Sequence, residues 1–132
     1  MSVFVDASAL IALLDEADNH HAQAMTIWAS LTEREERLTT TNYVVLETIA
    51  LIQRRFGIRM VREFQQLFAP LLEVEWVEEA DHSAGFDAVI AAGRRDLSLV
   101  DCTSFAAMRR LAIRRCFTFD AHFKEIGFES LP

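Results

Sequence analysis

The chain alternates between short apolar runs and stretches with helical spacing, and acids recur where one gives way to the other. Val3-Phe4-Val5 is a β-prone run that ends in Asp6, and a helical pattern from Ala7 to Leu14 follows at once. A strand that feeds a helix through an acidic turn is the first half of a βα unit. Asn19-His20-His21 opens a second helix, with Ala22, Met25, Trp28 and Leu31 in rough helical period. Arg37 to Thr41 reads as a strand, since Leu38 precedes three β-branched threonines. Asn42 is a good N-cap for the helix from Tyr43 to Ile52, which is apolar on nearly every face and is expected to be buried on more than one side. Glu47 is the exception within it. Gly57 breaks that helix, and Met60, Phe64, Leu67, Phe68 and Leu71 outline an amphipathic successor ending near Pro70, so the two form a helical hairpin.

The second half continues the alternation. Leu72 to Val77 reads as a strand, and Asp81 to Arg95 as a helix interrupted by Gly85 and Gly93. Leu97-Ser98-Leu99-Val100-Asp101 then leads into a helical pattern running to Ile113. Ser98 and Asp101 have the spacing of a capping box, so Asp101 has a structural reading as well as a chemical one. Cys116-Phe117-Thr118-Phe119 is a strand ending at Asp120, and a short helix near Ala121 to Ile126 precedes a last short strand through Phe128. Strands separated by helices predict a parallel sheet covered on both faces. No linker or repeat divides the chain, so residues 1–132 are expected to form a single α/β/α domain.

Composition narrows the function. With 52% hydrophobic residues the chain can bury a full core, and no segment approaches the roughly 18 uninterrupted apolar residues of a membrane span. The start of the chain has no basic region followed by a cleavable apolar run, and a cytoplasmic location is expected. Cys102 and Cys116 lack zinc-ligand spacing and read as small buried hydrophobes. A net charge of −7 has the wrong sign for indiscriminate nucleic-acid binding. Yet Lys124 is the only lysine among 13 basic residues, and arginine's planar fork suits phosphate.

Asp6 and Asp120 both lie just past the carboxyl end of an expected strand, the edge at which open α/β sheets bind ligands. Asp101 opens a helix at the same edge, and Glu47 sits among apolar residues where glutamate is rarely left alone. If the four converge within about 5 Å, each pair repels by roughly 3 kcal/mol, and six pairs exceed the stability of a small domain. Such a cluster persists by taking up protons or a cation. No histidine–cysteine set is available, and all-oxygen ligation suits Mg²⁺ or Mn²⁺, which activate water for attack on phosphodiesters.

Val3-Phe4-Val5-Asp6-Ala7-Ser8, Glu47, Leu97-Ser98-Leu99-Val100-Asp101-Cys102-Thr103-Ser104 and Thr118-Phe119-Asp120-Ala121-His122 closely resemble PIN domains, and more narrowly the VapC type of toxin–antitoxin ribonuclease. The resemblance spans essentially the whole chain. It implies a three-layer α/β/α sandwich with a central mostly parallel sheet and a protruding helical hairpin. It also implies a Mg²⁺-dependent endoribonuclease, with Mn²⁺ as a substitute, in which Asp6, Glu47, Asp101 and Asp120 form the acidic metal site. Asp6 and Asp101 would ligate directly, while Glu47 and Asp120 act through water or position it. Ser8 and Ser104 match hydroxyl positions near the site, with simple capping as their alternative. Asp96 reads as a turn residue, and His122 as a partly exposed histidine rather than a ligand. RNA, a cognate antitoxin and a second copy of the chain are the implied partners. The antitoxin and dimer contacts are expected near the hairpin carrying Phe64, Leu67, Phe68 and Leu71.

Two other α/β classes with acids at strand ends fit less well. A haloacid dehalogenase-like phosphatase needs Asp-x-Asp in its first motif, and position 8 is serine. A receiver domain needs a late lysine directly after a strand, which Lys124 is not.

Overall fold

The computed structural model describes every residue from Met1 to Pro132. Its centre is β1 (Ser2–Val5), in which Val3, Phe4 and Val5 are fully buried, as expected of a strand covered on both faces. β2 (Arg37–Thr41) and β3 (Leu72–Glu75) extend the sheet on one side, and β4 (Arg115–Phe117) and β5 (Glu129–Leu131) on the other. The order is β3-β2-β1-β4-β5, and every pairing is parallel, so the expectation of a mostly parallel sheet becomes a wholly parallel one. The chain steps outward from β1 to β3, then returns to place β4 on the other side of β1. With right-handed crossovers this reversal puts helices on both faces. It also makes the carboxyl ends of β1 and β4 a topological switch point, where adjacent loops part and leave a cleft.

The helices carry the apolar half of the core. α1 (Ala7–Leu14) and α2 (His21–Glu33) join β1 to β2, and α3 (Asn42–Phe56) with α4 (Ile58–Glu63) follows β2. A π turn at Phe64–Phe68 and a 3-10 turn at Ala69–Leu71 bring the chain to β3. α5 (Glu79–Ala92) packs along α6 (Leu99–Arg110), and α7 (His122–Glu125) links β4 to β5. One cluster of buried apolar side chains spans sheet and helices. No helix is long and apolar enough to cross a membrane.

The glycines that interrupt the α5 pattern each have a local reason. A Cβ at Gly85 would sit 2.5 Å from the Thr103 side chain, so glycine permits α5 and α6 to approach. Gly93, at φ +61, ends α5 in the left-handed conformation that glycine adopts without strain.

Three expectations change. The N-cap of α3 is Thr41, whose hydroxyl accepts from Val44 N–H at 3.2 Å, and Asn42 instead accepts from Val77 N–H at 2.6 Å. α3 is not buried on several sides. Only Val44, Thr48 and Ile52, one turn apart, are buried, while Leu46 is 68% exposed. The hairpin exists, but Phe64 is wholly buried in the core, leaving Leu67 and Leu71 on its surface. The π turn begins at Phe64, so the residues after it leave the regular helical stripe.

Candidate functional site

Asp6 is the N-cap of α1 and lies at the switch point, its N–H donating to Phe117 C=O at 3.0 Å. It is buried, and its Oδ2 accepts from Ser8 N–H (3.3 Å), Ser8 Oγ (2.7 Å) and Thr118 Oγ1 (3.0 Å). The same hydroxyls tie down the neighbouring loop. Ser8 Oγ accepts from Phe119 N–H at 3.0 Å, and Thr118 Oγ1 accepts from Asp120 N–H at 2.9 Å. Ser8 is therefore not the cap of α1, which is Asp6; it donates to that cap and fixes the loop that carries Asp120.

Asp101 realises both of its readings. Ser98 Oγ accepts from Asp101 N–H and Asp101 Oδ2 accepts from Ser98 N–H, each at 3.1 Å, completing the capping box. Its other oxygen makes no hydrogen bond, and the residue lines a cavity of about 380 Å³ with Asp6, Glu47 and Asp120. The switch point supplies Asp6 and Asp120, α3 supplies Glu47, and the first turn of α6 supplies Asp101. Helix N-termini at Asp6 and Asp101 favour negative charge there.

The electrostatics follow from this packing. Burial pushes the Asp6 carboxyl up to about 6, against the pull of the Ser8 and Thr118 hydroxyls, with Asp101 and Asp120 adding repulsion. Burial, then repulsion from Asp6, Asp101 and Asp120, pushes Glu47 up to about 7. Asp101 is also raised, chiefly by burial, although its bonds to Ser98 oppose the shift. No arginine or lysine forms an ion pair with any of the four.

His122 is half-buried on α7 as expected, but it reaches further than a surface histidine. Its Nδ1 lies 2.7 Å from Asp120 Oδ1 and its Nε2 lies 3.1 Å from Asp96 Oδ2. Asp101, Asp120 and His122 offer ligand atoms that all lie within 4.8 Å of one another. Asp96 is more than a turn residue, since Arg94 grips it at 2.9 Å while it holds His122. Ser104 does not line the cavity and is buried with its hydroxyl unpartnered. Asp18, His20, Arg55 and Phe119 also line the cavity. They arrive from segments whose local sequence carries no signal for them. Thr118 had one, a hydroxyl two residues before an acid at a strand end.

An array of carboxylates without an arginine or lysine partner offers oxygen donors to a hard divalent cation, so the donor set fits Mg²⁺ or Mn²⁺. The sequence pattern of the PIN domain matches residues 3–129. Two relatives, the 23S rRNA-specific endonuclease VapC20 of Mycobacterium tuberculosis strains CDC 1551 / Oshkosh and ATCC 25618 / H37Rv, are each 32% identical over 127 residues, covering 96% of this chain and 95% of theirs. The crystal structure of Mycobacterium tuberculosis VapC20, a sarcin-ricin loop cleaving toxin, superposes with a TM-score of 0.85 at 32% identity over 96% of each chain. The chain belongs to the PIN domain family, and within it to the VapC type.

Proposed function

We propose that this chain is a divalent-metal-dependent endoribonuclease, the toxin of a toxin–antitoxin pair, and that its substrate class is ribosomal RNA, as the names of its relatives indicate for them. The observation that carries the reading is the lining of one cavity by Asp6, Glu47, Asp101 and Asp120, none of them ion-paired to an arginine or lysine. Asp6 and Asp101 are assigned as direct ligands of Mg²⁺, which Mn²⁺ can replace. When bound, such a cation supplies a water of lowered pKa and neutralises charge growing on the phosphate.

The chain's own groups do the rest. Ser8 and Thr118 hold Asp6 Oδ2 in place, leaving its other oxygen free of hydrogen bonds. Ser98 orients Asp101 in the same way. Glu47, which faces the same cavity from α3, accepts the proton of the attacking water. Asp120, braced against His122, positions that water. The partner surfaces are assigned to the hairpin, where Ile58 and Leu67 are exposed, and to a groove of about 600 Å³ between it and the ends of α1 and α2, lined by exposed Met25 and Phe56 with Met60 and Phe68. A homodimer and an antitoxin segment, reaching the acids through an inserted arginine, would both cover this surface.

The test is cleavage of purified ribosomal RNA with Mg²⁺, with Mn²⁺ and with chelator. Cleavage at a limited set of sites that chelator abolishes is expected. Full activity in EDTA would remove the metal mechanism.

A further inference from the structure

Opposite the need for a cation stands a second difficulty: a chain of net charge −7 must hold a polyanion beside its own acids. The cavity carries groups suited to that task which the hydrolysis does not use. The rings of His20 and Phe119 stack at 4.4 Å between centroids and 13° between planes. Both residues line the cavity with the four acids. Phe119 is anchored, since its N–H donates to Ser8 Oγ at 3.0 Å and its ring meets Phe117 edge-on at 6.1 Å. His20 is held by its own N–H, which donates to Asp18 Oδ1 at 2.8 Å. Its side chain is otherwise exposed, and its ring makes no hydrogen bond. Arg55, in the last turn of α3, is the only basic residue of the lining besides His20, and it forms no ion pair.

A fixed aromatic surface beside a free guanidinium, at the rim of an acidic site, matches the way unpaired nucleotides are held. Single-stranded bases stack on aromatic rings whatever their identity, and arginine meets the phosphate. We infer that His20, backed by Phe119, forms a stacking platform for one unpaired base of a single-stranded or looped RNA, with Arg55 holding an adjacent phosphate. This deepens the nuclease reading above and rests on it. Stacking does not depend on charge, so it supplies attachment that the net charge of the chain opposes. It also selects looped or single-stranded RNA over duplex, whose bases are already stacked.

The experiment uses the full chain with Ca²⁺ in place of Mg²⁺. The probe is a single-stranded RNA about eight nucleotides long with 2-aminopurine at its centre and mixed bases elsewhere. Stacking quenches the fluorescence of that base. Wild-type protein is expected to bind with quenching. His20→Ala and Phe119→Leu are expected to lose roughly five- to hundredfold in affinity, together with the quench. His20→Trp, which keeps an aromatic face, is expected to keep both. Arg55→Ala is expected to keep the quench while weakening binding and lowering its salt dependence by about one phosphate contact. Thermal melts identify any variant that fails to fold, and exposed His20 gives a substitution that leaves the core intact. If wild type cleaves RNA with Mg²⁺ but the three loss variants bind the probe as it does, the platform is wrong and the nuclease reading stands. If wild type neither binds the probe nor cleaves RNA, both fail.

Discussion

The molecule contains two populations of acids, built on opposite terms. Asp81 and Glu75 share Arg110 at 2.8 and 3.0 Å, which ties α5 and β3 to α6. Asp96 is held by Arg94, and Glu36 by Arg115 at 3.1 Å, so both carboxyls titrate below their ordinary range. At the switch point, Asp6, Glu47 and Asp101 have hydroxyls, backbone N–H groups and one another, and all three are raised. The first population links elements of the fold. The second costs stability, and the helix caps made by Asp6 and Asp101 do not require that these acids face one another and Glu47. Acids gathered against their mutual repulsion, in a cleft at strand ends, are what the proposed cation site would need.

The largest expected effect of breaking this contrast is on activity. Asp6→Asn, Glu47→Gln or Asp101→Asn is expected to lower RNA cleavage by about a hundredfold or more, the range of a lost acid–base or metal-ligating group. Arg110→Ala, which releases the paired population, is expected to leave cleavage close to wild type. Single-turnover cleavage assays separate the two. Loss of activity in Arg110→Ala without loss of fold would erase the distinction.

The next effect is the response of the metal-free protein to pH. A carboxyl whose folded pKa is raised binds its proton more tightly folded than unfolded, so stability falls as pH rises between the two values. For Asp6 that window runs from 3.8 to about 6, and for Glu47 from 4.5 to about 7. Asp6, being buried, accounts for about 3 kcal/mol, and half-buried Glu47 for less. His122, raised mainly by its bond to Asp96, adds stability at low pH that is lost as pH rises through its folded value, in the same direction. Asp96 and Glu36 oppose this only where pH falls through their own lowered values. Urea unfolding in EDTA is therefore expected to show stability declining from about pH 4.5 to 7. A rise across that interval would contradict the assignment.

Smaller still are the substitutions measured by stability. Asp6→Asn and Glu47→Gln are expected to stabilise the metal-free protein at neutral pH by about 1–2 kcal/mol. Asp101→Asn is expected to gain less, because the repulsion it relieves is offset by a weakened capping box. Arg110→Ala, leaving Asp81 without its partner, is expected to lose about 1–2 kcal/mol. For association, Leu67→Glu and Ile58→Glu, both exposed, are expected to reduce dimer mass in light scattering. Phe64→Glu cannot test this surface because Phe64 is core.

How much of this was legible in the sequence depended on distance along the chain. Asp6 and Asp120 could be placed because a strand run, an acid and a helical pattern are adjacent, so local rules locate them at one sheet edge. Asp101 was ambiguous between cap and ligand because the two roles use different oxygens of one carboxylate, a distinction that spacing does not carry. Thr41 rather than Asn42 caps α3 because Asn42 is engaged by Val77, thirty-five residues away. The depth of Phe64 is set by its packing in the core, and the reach of His122 to Asp120 and Asp96 follows from how α7 settles beside the loop before α6. Arg55, His20 and Phe119 come from three separate segments, so only the folded chain reveals that they meet.

The central claim is that the four acids, none of them paired to an arginine or lysine, form a divalent cation site, and calorimetric titration with Mn²⁺ tests it most directly. At about pH 6.5, between the values of Asp6 and Glu47, binding must displace protons. Titrations in buffers of different ionisation enthalpy are expected to show one or more protons released at that pH and almost none near pH 9. Asp6→Asn and Asp101→Asn are expected to weaken binding at least tenfold, while Arg110→Ala binds as wild type does. Absence of binding at millimolar Mn²⁺, or equal binding by wild type and Asp101→Asn, would contradict the account.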